Sequence, residues 1–118
     1  MKGIVGCGET VDASKLVGID GLKYEGDSKT PFTGVEVGKH ANGQKSEETT
    51  YKDGKLEGLF TAWYESGQKA LEGTFKDGKP EGPATAWHEN GQKEYERMLK
   101  DGEEVSATYW DKEGNEIK

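Results

Sequence analysis

From about residue 35 onward the side chains sort into two alternating sets, and the alternation is broken every ten residues or so by a glycine preceded by Asn, Ser or Asp. Asn42-Gly43, Ser66-Gly67 and Asn90-Gly91 form one series of breaks, and Asp53-Gly54, Asp77-Gly78 and Asp101-Gly102 the other. Asn-Gly and Asp-Gly are strong short-range hairpin signals, because a type I′ turn needs positive φ at both central residues. Each interval holds a strand of about 8 residues, about 27 Å long. The predicted elements are antiparallel strands in chain order, a β-meander.

The breaks recur because the chain is a repeat array. Lys-Asp-Gly-Lys-Leu-Glu-Gly at 52–58 returns as Lys-Asp-Gly-Lys-Pro-Glu-Gly at 76–82, and Gly43, Gly67 and Gly91 keep the same 24-residue spacing. A fixed period means one supersecondary unit stacked on copies of itself. The fold class expected is therefore all-β: an elongated, single-layer antiparallel β-meander of stacked hairpin repeats over residues 22–118. Residues 1–21 are expected to be a flexible leader or linker.

A two-residue Ser66-Gly67 loop sets a register with Glu65 opposite Gln68, Trp63 opposite Ala70, Phe60 opposite Gly73 and Gly58 opposite Phe75. One face then holds Phe60, Ala62, Tyr64, Leu71 and Phe75, repeated as Ala84, Ala86, His88, Tyr95 and Leu99. The other holds Leu59, Thr61 and Trp63, continued by Thr85 and Trp87. Phe60 can lie over the bare backbone of Gly73, which supports a strand glycine. The Phe75 and Leu99 face is expected to be the more buried.

Both ends depart from the period. Gly114 follows Gly91 by 23 residues, and a one-residue loss inside a strand turns side chains to the opposite face. Trp110 joins Trp63 and Trp87 only if a bulge or altered turn absorbs the slip. Upstream, Leu22-Lys23-Tyr24 reads as a short strand and Asp27 to Pro31 as a loop, a segment placed to cover the first sheet edge.

Composition changes the picture in one respect. Leu, Ile, Val and Phe make up only 18 of 118 residues and the formal charge is −7, values that without the repeat would indicate disorder. Order must come from turn chemistry and cross-strand pairs rather than a thick core. The acidic balance also argues against nucleic acid and anionic membranes, whose binding needs clustered Lys and Arg.

The units "KDGKLEGLFTAWYESGQK" and "KDGKPEGPATAWHENGQK", with the entry "GLKYEGDSKTPFTG", resemble the MORN repeat variant found in bacteria, many of whose members carry the label antitoxin of a toxin-antitoxin system. The resemblance spans about residues 22–118. It implies stacked hairpins in an elongated, twisted sheet and a role in protein contact or scaffolding. It implies no catalytic residues and no cofactor.

Few residues offer chemistry of their own. Cys7 is the single cysteine, so an intramolecular disulfide is excluded. In Ile4-Val5-Gly6-Cys7 it resembles the lipobox of bacterial lipoproteins, although only Lys2 and a few apolar residues precede it where a leader needs an apolar run of about 7 to 15. Cys7 is thus the lipidation candidate, with an extracytoplasmic anchored protein expected if the lipobox is real and a cytoplasmic one otherwise. His40 and His88 stand two repeats apart, about 19 Å across four strands, too far to share a metal ion. Glu57 with Glu81, and Glu48, Glu72 and Glu96, occupy equivalent repeat positions on a flat sheet with no cleft to shift one pKa. They read as solvated rows.

The aromatic residues are the candidate contact surface: Trp63, Trp87, Thr61 and Thr85, with Trp110 pending its facing. Exposed Trp is enriched at interaction hot spots. The function expected is a non-enzymatic module that binds another protein through its sheet face, as an antitoxin, immunity-like or scaffolding protein. A surface-anchored structural lipoprotein is the alternative, and carbohydrate binding or hydrolysis a third. Homo-oligomers by edge pairing are also open to such a sheet.

Overall fold

The computed structural model describes residues 9–26 and 28–118; Cys7 lies outside them. Eight strands form a meander in chain order: β4 (Gly34–Lys39), β5 (Lys45–Lys52), β6 (Lys55–Trp63), β7 (Lys69–Lys76), β8 (Lys79–Trp87), β9 (Lys93–Lys100), β10 (Glu103–Trp110) and the short β11 (Glu116–Ile117). The all-β repeat sheet expected from the turns is what the chain forms. Its radius of gyration is 16.0 Å, against about 13.5 Å for a compact chain of this length, so the sheet is elongated.

The two series of turns have different chemistry. Asp53, Asp77 and Asp101 have φ of 51°, followed by glycines at 83–84°, the signature of type I′ turns. At the other end only the glycine is left-handed. Gly67 donates to the Tyr64 carbonyl at 2.9 Å and Tyr64 N–H donates to the Gln68 carbonyl at 2.8 Å, which makes a three-residue loop closed by a bulge. The expected two-residue Ser66-Gly67 loop is thereby corrected. The register shifts between Ala62 and Trp63, so Trp63 faces Lys69 instead of Ala70, while Phe60 opposite Gly73 and Gly58 opposite Phe75 stand. The same three-residue loop forms at Asn42-Gly43 and Asn90-Gly91. In all three the residue before the glycine accepts the N–H two positions on: Gln44 to Asn42 Oδ1 at 2.9 Å, Gln68 to the Ser66 hydroxyl at 3.4 Å and Gln92 to Asn90 Oδ1 at 2.9 Å. Such a side-chain turn competes with type I′ geometry.

Gly91 at φ 91° therefore still needs a conformation that L side chains avoid. Gly91→Val is expected to cost about 1–3 kcal/mol and Gln92→Val close to nothing, measured as melting temperatures. Equal values would contradict the turn geometry.

Neighbouring turns are tied across the stack. Gly54, Gly78 and Gly102 donate to the carbonyls of Phe32, Leu56 and Pro80 at 2.7, 2.9 and 3.0 Å, and Asp77 and Asp101 N–H donate to the Glu57 and Glu81 carboxylates. At the far end the His40 ring donates from Nε2 to the Trp63 carbonyl at 2.8 Å, Tyr64 donates to that of Trp87 at 2.6 Å, and His88 to that of Trp110 at 3.1 Å. The slot shared by His40, Tyr64 and His88 is a donor position. Its chemistry is structural: each ring pins the end of the next repeat.

Part of the segment read as leader has structure. β1 (Glu9–Asp12) pairs parallel with β4, Glu9 to Gly34 through Asp12 to Val37, and covers that edge of the first repeat. A 3-10 turn at Ala13–Lys15, N-capped by Asp12, leads into a hairpin of β2 (Leu16–Ile19) and β3 (Leu22–Glu25). This hairpin lies outside the main sheet and supplies the thickest packing among the described residues. Leu16, Phe32 and Tyr51 form a buried cluster with Val11 and Leu56 against it, the Phe32 and Tyr51 rings meeting edge-on at 6.1 Å. The layer is otherwise single. Burial favours the Phe75 and Leu99 face, as expected: Glu36, Thr49, Tyr51, Ala86 and Leu99 are buried on it, against Val37 and Thr61 on the other.

Candidate functional site

Two short patterns build one lattice on the face away from Tyr51 and Phe75. Thr-x-Trp closes each even strand from β6: Thr61–Trp63, Thr85–Trp87 and Thr108–Trp110. Lys-x-x-Glu opens each odd one from β5: Lys45–Glu48, Lys69–Glu72 and Lys93–Glu96. Pairing sets Glu48, Thr61, Glu72, Thr85, Glu96 and Thr108 in a single row across the sheet. Period two puts Trp one step further along the same face, and the bulges beside the turns bring Lys, three residues from its Glu, onto it as well. Each lysine extends over the indole of the next strand: Lys45 over Trp63 at 5.5 Å, Lys69 over Trp87 at 5.8 Å and Lys93 over Trp110 at 5.9 Å from the ring centroids.

The same ammonium groups bind carboxylates on their own strands, Lys45 to Glu48, Lys93 to Glu96, and Lys69 to Glu72 at 3.0 Å. Each lysine side chain is about half exposed. Such cation–π contacts contribute about 0.5–1 kcal/mol each and the ion pairs less after solvent screening. Their main effect is orientation: three indoles are held in one row without deep burial.

Trp110 belongs to that row despite the 23-residue slip. β6 and β8 each carry two extra residues against β5 and β7, in bulges around Gly58 and Gly82. β10 carries only one against β9, at Val105. The missing residue comes out of the bulge, and Thr108 and Trp110 keep their facing. Thr61 differs from its expected place at a contact surface: it is 4% exposed and supports the lattice from within, whereas Thr85 is half-buried.

The sequence reading missed the lysines. Lys45, Lys69 and Lys93 keep the 24-residue period as strictly as the tryptophans, a signal that was present. Linking the two series requires the bulge register. Tyr64, beside the lattice at the turn, is pushed above the usual phenol range, chiefly by desolvation and then by the Glu94 and Glu89 charges. Among the described residues no group of three His, Cys, Asp or Glu could hold a metal, and no helix is long and apolar enough to cross a membrane.

These features define an open, single-layer hairpin-repeat protein whose surface is periodic and which encloses no described metal cluster. Residues 32–53, 56–77 and 80–101 match the model of the MORN repeat variant, more than half of the chain, and the protein belongs to that family. MORN repeats are generally modules for contact with proteins or membranes. No curated protein and no solved structure matches the chain.

Proposed function

We propose that this chain is a non-enzymatic protein-binding module whose contact surface is the row of Trp63, Trp87 and Trp110 with Thr85 beside it. The observation that carries the reading is the lattice itself. Three half-buried indoles lie on alternate strands, each held by a lysine of the same chain. Pre-oriented aromatic anchors bind at low ordering cost. The row alternates positive and negative charge, and the whole chain is at −7, which suits a protein of mixed surface charge better than a nucleic acid or an anionic membrane. Sugar stacking is disfavoured, because a pyranose needs a bare ring face and the ammonium groups lie over these. An antitoxin or immunity function is the finer form of the reading, in which the partner is a toxic protein.

The test is quantitative capture from the source organism by the intact chain and by Trp87→Ala. The ring is half exposed, so the variant is expected to keep its melting temperature within a few degrees while losing about tenfold or more of its partner affinity. Undiminished capture by the variant would remove this face from the proposal. Whether the captured protein is toxic when expressed alone decides the antitoxin form.

A further inference from the structure

The β2–β3 hairpin is a ligand that the chain carries for itself, and the repeat copies its seat. Leu16 packs on Phe32 and Tyr51, with Leu56 completing the row, and Lys23 N–H donates to the Gly54 carbonyl at 3.0 Å. Contact at the turn is close: a Cβ on Gly54 would stand 3.0 Å from the Cβ atoms of Leu22 and Pro31. One repeat on, Leu56 takes the place of Phe32, Phe75 that of Tyr51 and Pro80 that of Leu56. The equivalence is fixed by the bonds from Gly54 to Phe32 and from Gly78 to Leu56, and by the pairings of Tyr51 with Leu56 and Phe75 with Pro80.

This second seat is apolar and uncovered. Leu56, Phe75 and Pro80 are only half-buried, a Cβ on Gly78 would meet nothing within 4 Å, and among the described residues no backbone N–H donates to the Gly78 carbonyl. A cleft of about 320 Å³ runs between Lys23 of the hairpin and Leu56, Asp77 and Gly78. The series stops at the third repeat, where Glu104 stands opposite Leu99 and is bonded to Arg97 at 2.9 Å. A carboxylate there makes burial of an aliphatic side chain unfavourable.

We infer that the Leu56–Phe75–Pro80 seat takes a β-hairpin segment of a partner protein, docked as β2–β3 docks on Phe32, Tyr51 and Leu56. The occupant presents an aliphatic side chain at the place of Leu16 and a backbone N–H to the Gly78 carbonyl. It is neutral overall, like the chain's own hairpin, whose Lys15 and Lys23 offset Asp20 and Glu25, because the cleft is lined by charges of both signs, Lys23 and Lys55 beside Asp77. The seat lies on the sheet face opposite the tryptophan row, so it is a second surface, independent of the first.

The probe is a hairpin peptide of residues 14–26, closed by a disulfide between added terminal cysteines, titrated into the full chain with backbone amides followed by NMR. Shifts are expected at Phe75, Asp77 and Gly78 and not at the indole N–H groups. Pro80→Glu, which copies the natural Glu104, is expected to weaken binding by about tenfold or more, and Trp87→Ala to leave it unchanged. The absence of shifts at Gly78 would overturn the inference. So would shifts confined to Leu16, Phe32 and Tyr51, which mean exchange with the resident hairpin, or peptide-independent self-association through the same residues. The mapping on the unaltered chain decides the matter even if Pro80→Glu loses its fold. Failure of the Trp87→Ala capture test leaves this result untouched.

Discussion

Gly54→Ala is expected to destabilise the protein by about 3 kcal/mol, while Gly78→Ala, at the same turn position one repeat on, costs about 1 kcal/mol. Backbone strain is common to both, since φ is 83° at Gly54 and 84° at Gly78. Only Gly54 is also crowded: its new Cβ would meet Leu22 and Pro31 at 3.0 Å and the Lys23 backbone nitrogen at 3.2 Å. Backbone cannot rotate away as a side-chain tip can, so the β2–β3 hairpin must lift. Lifting it also loosens the contact of Leu16 with Phe32 and Tyr51, the thickest packing among the described residues. In a domain of this size the two changes correspond to about 10 °C and about 4 °C in melting temperature. Amide exchange at Leu22–Glu25 should rise in Gly54→Ala alone. Equal melting temperatures would mean that the hairpin does not bear on the turn.

That contrast shows how a repeat protein without a thick core stays ordered. Each unit contributes the same turn bonds and cross-strand pairs, and units contact only their neighbours. The first unit is the exception, because non-repeated residues press on it. β1 adds a parallel strand of four residues and becomes the edge of the sheet itself, short enough to recruit other chains poorly, while β2–β3 add a second layer to one face. At the other end β11 pairs only through Tyr109–Ile117 and Trp110–Glu116. The Glu103 and Glu104 carboxylates at the start of β10 then supply the charge that discourages pairing there.

The meander was legible in the sequence because its cause is local. Asp-Gly dipeptides adopt type I′ geometry from their own φ preferences, and the pairings of Phe60 with Gly73 and Gly58 with Phe75 follow from counting between turns. What counting could not supply was the bulge at Ala62–Trp63, which goes with three-residue loops held by the side-chain acceptors of Asn42, Ser66 and Asn90. That shift, repeated at Gly38–Lys39 and Ala86–Trp87, turns Lys45, Lys69 and Lys93 onto the tryptophan face. The Trp–Lys lattice was therefore invisible, although both residue series were in plain view. The placement of Trp110 was hidden for a related reason: the lost residue falls inside a bulge, where it alters the bend but not the facing. β1 escaped notice because a parallel pairing formed by tertiary contact leaves no turn between its strands. Asp20-Gly21, by contrast, is the same dipeptide as the repeat turns with the same φ of 51° at Asp, and its place outside the period concealed it.

Tyr51→Phe is the second large effect expected, and its size depends on pH. Tyr51 donates to Glu36 Oε1 at 3.1 Å, and Glu36 is only 7% exposed. Removing the hydroxyl leaves a buried carboxylate without that donor, which costs about 1–3 kcal/mol near neutrality. Burial raises the Tyr51 phenol far above its usual value, with the Glu36 charge and hydrogen bond and then Glu47 adding to the shift. Above pH 10, about the value of an unfolded tyrosine, the unfolded chain releases a proton that the folded chain retains. The folded state then binds more protons, so stability falls as pH rises, by up to about 1.4 kcal/mol per pH unit for this one group. Tyr51→Phe removes that loss, while the upward shift of Tyr64 persists in both proteins. Denaturant unfolding from pH 7 to 11 should therefore find the variant less stable at neutrality and the gap narrowing only above pH 10. A gap that stays constant across the range would show that Tyr51 is not held neutral by its burial against Glu36, and that the cluster under the β2–β3 hairpin is open to water.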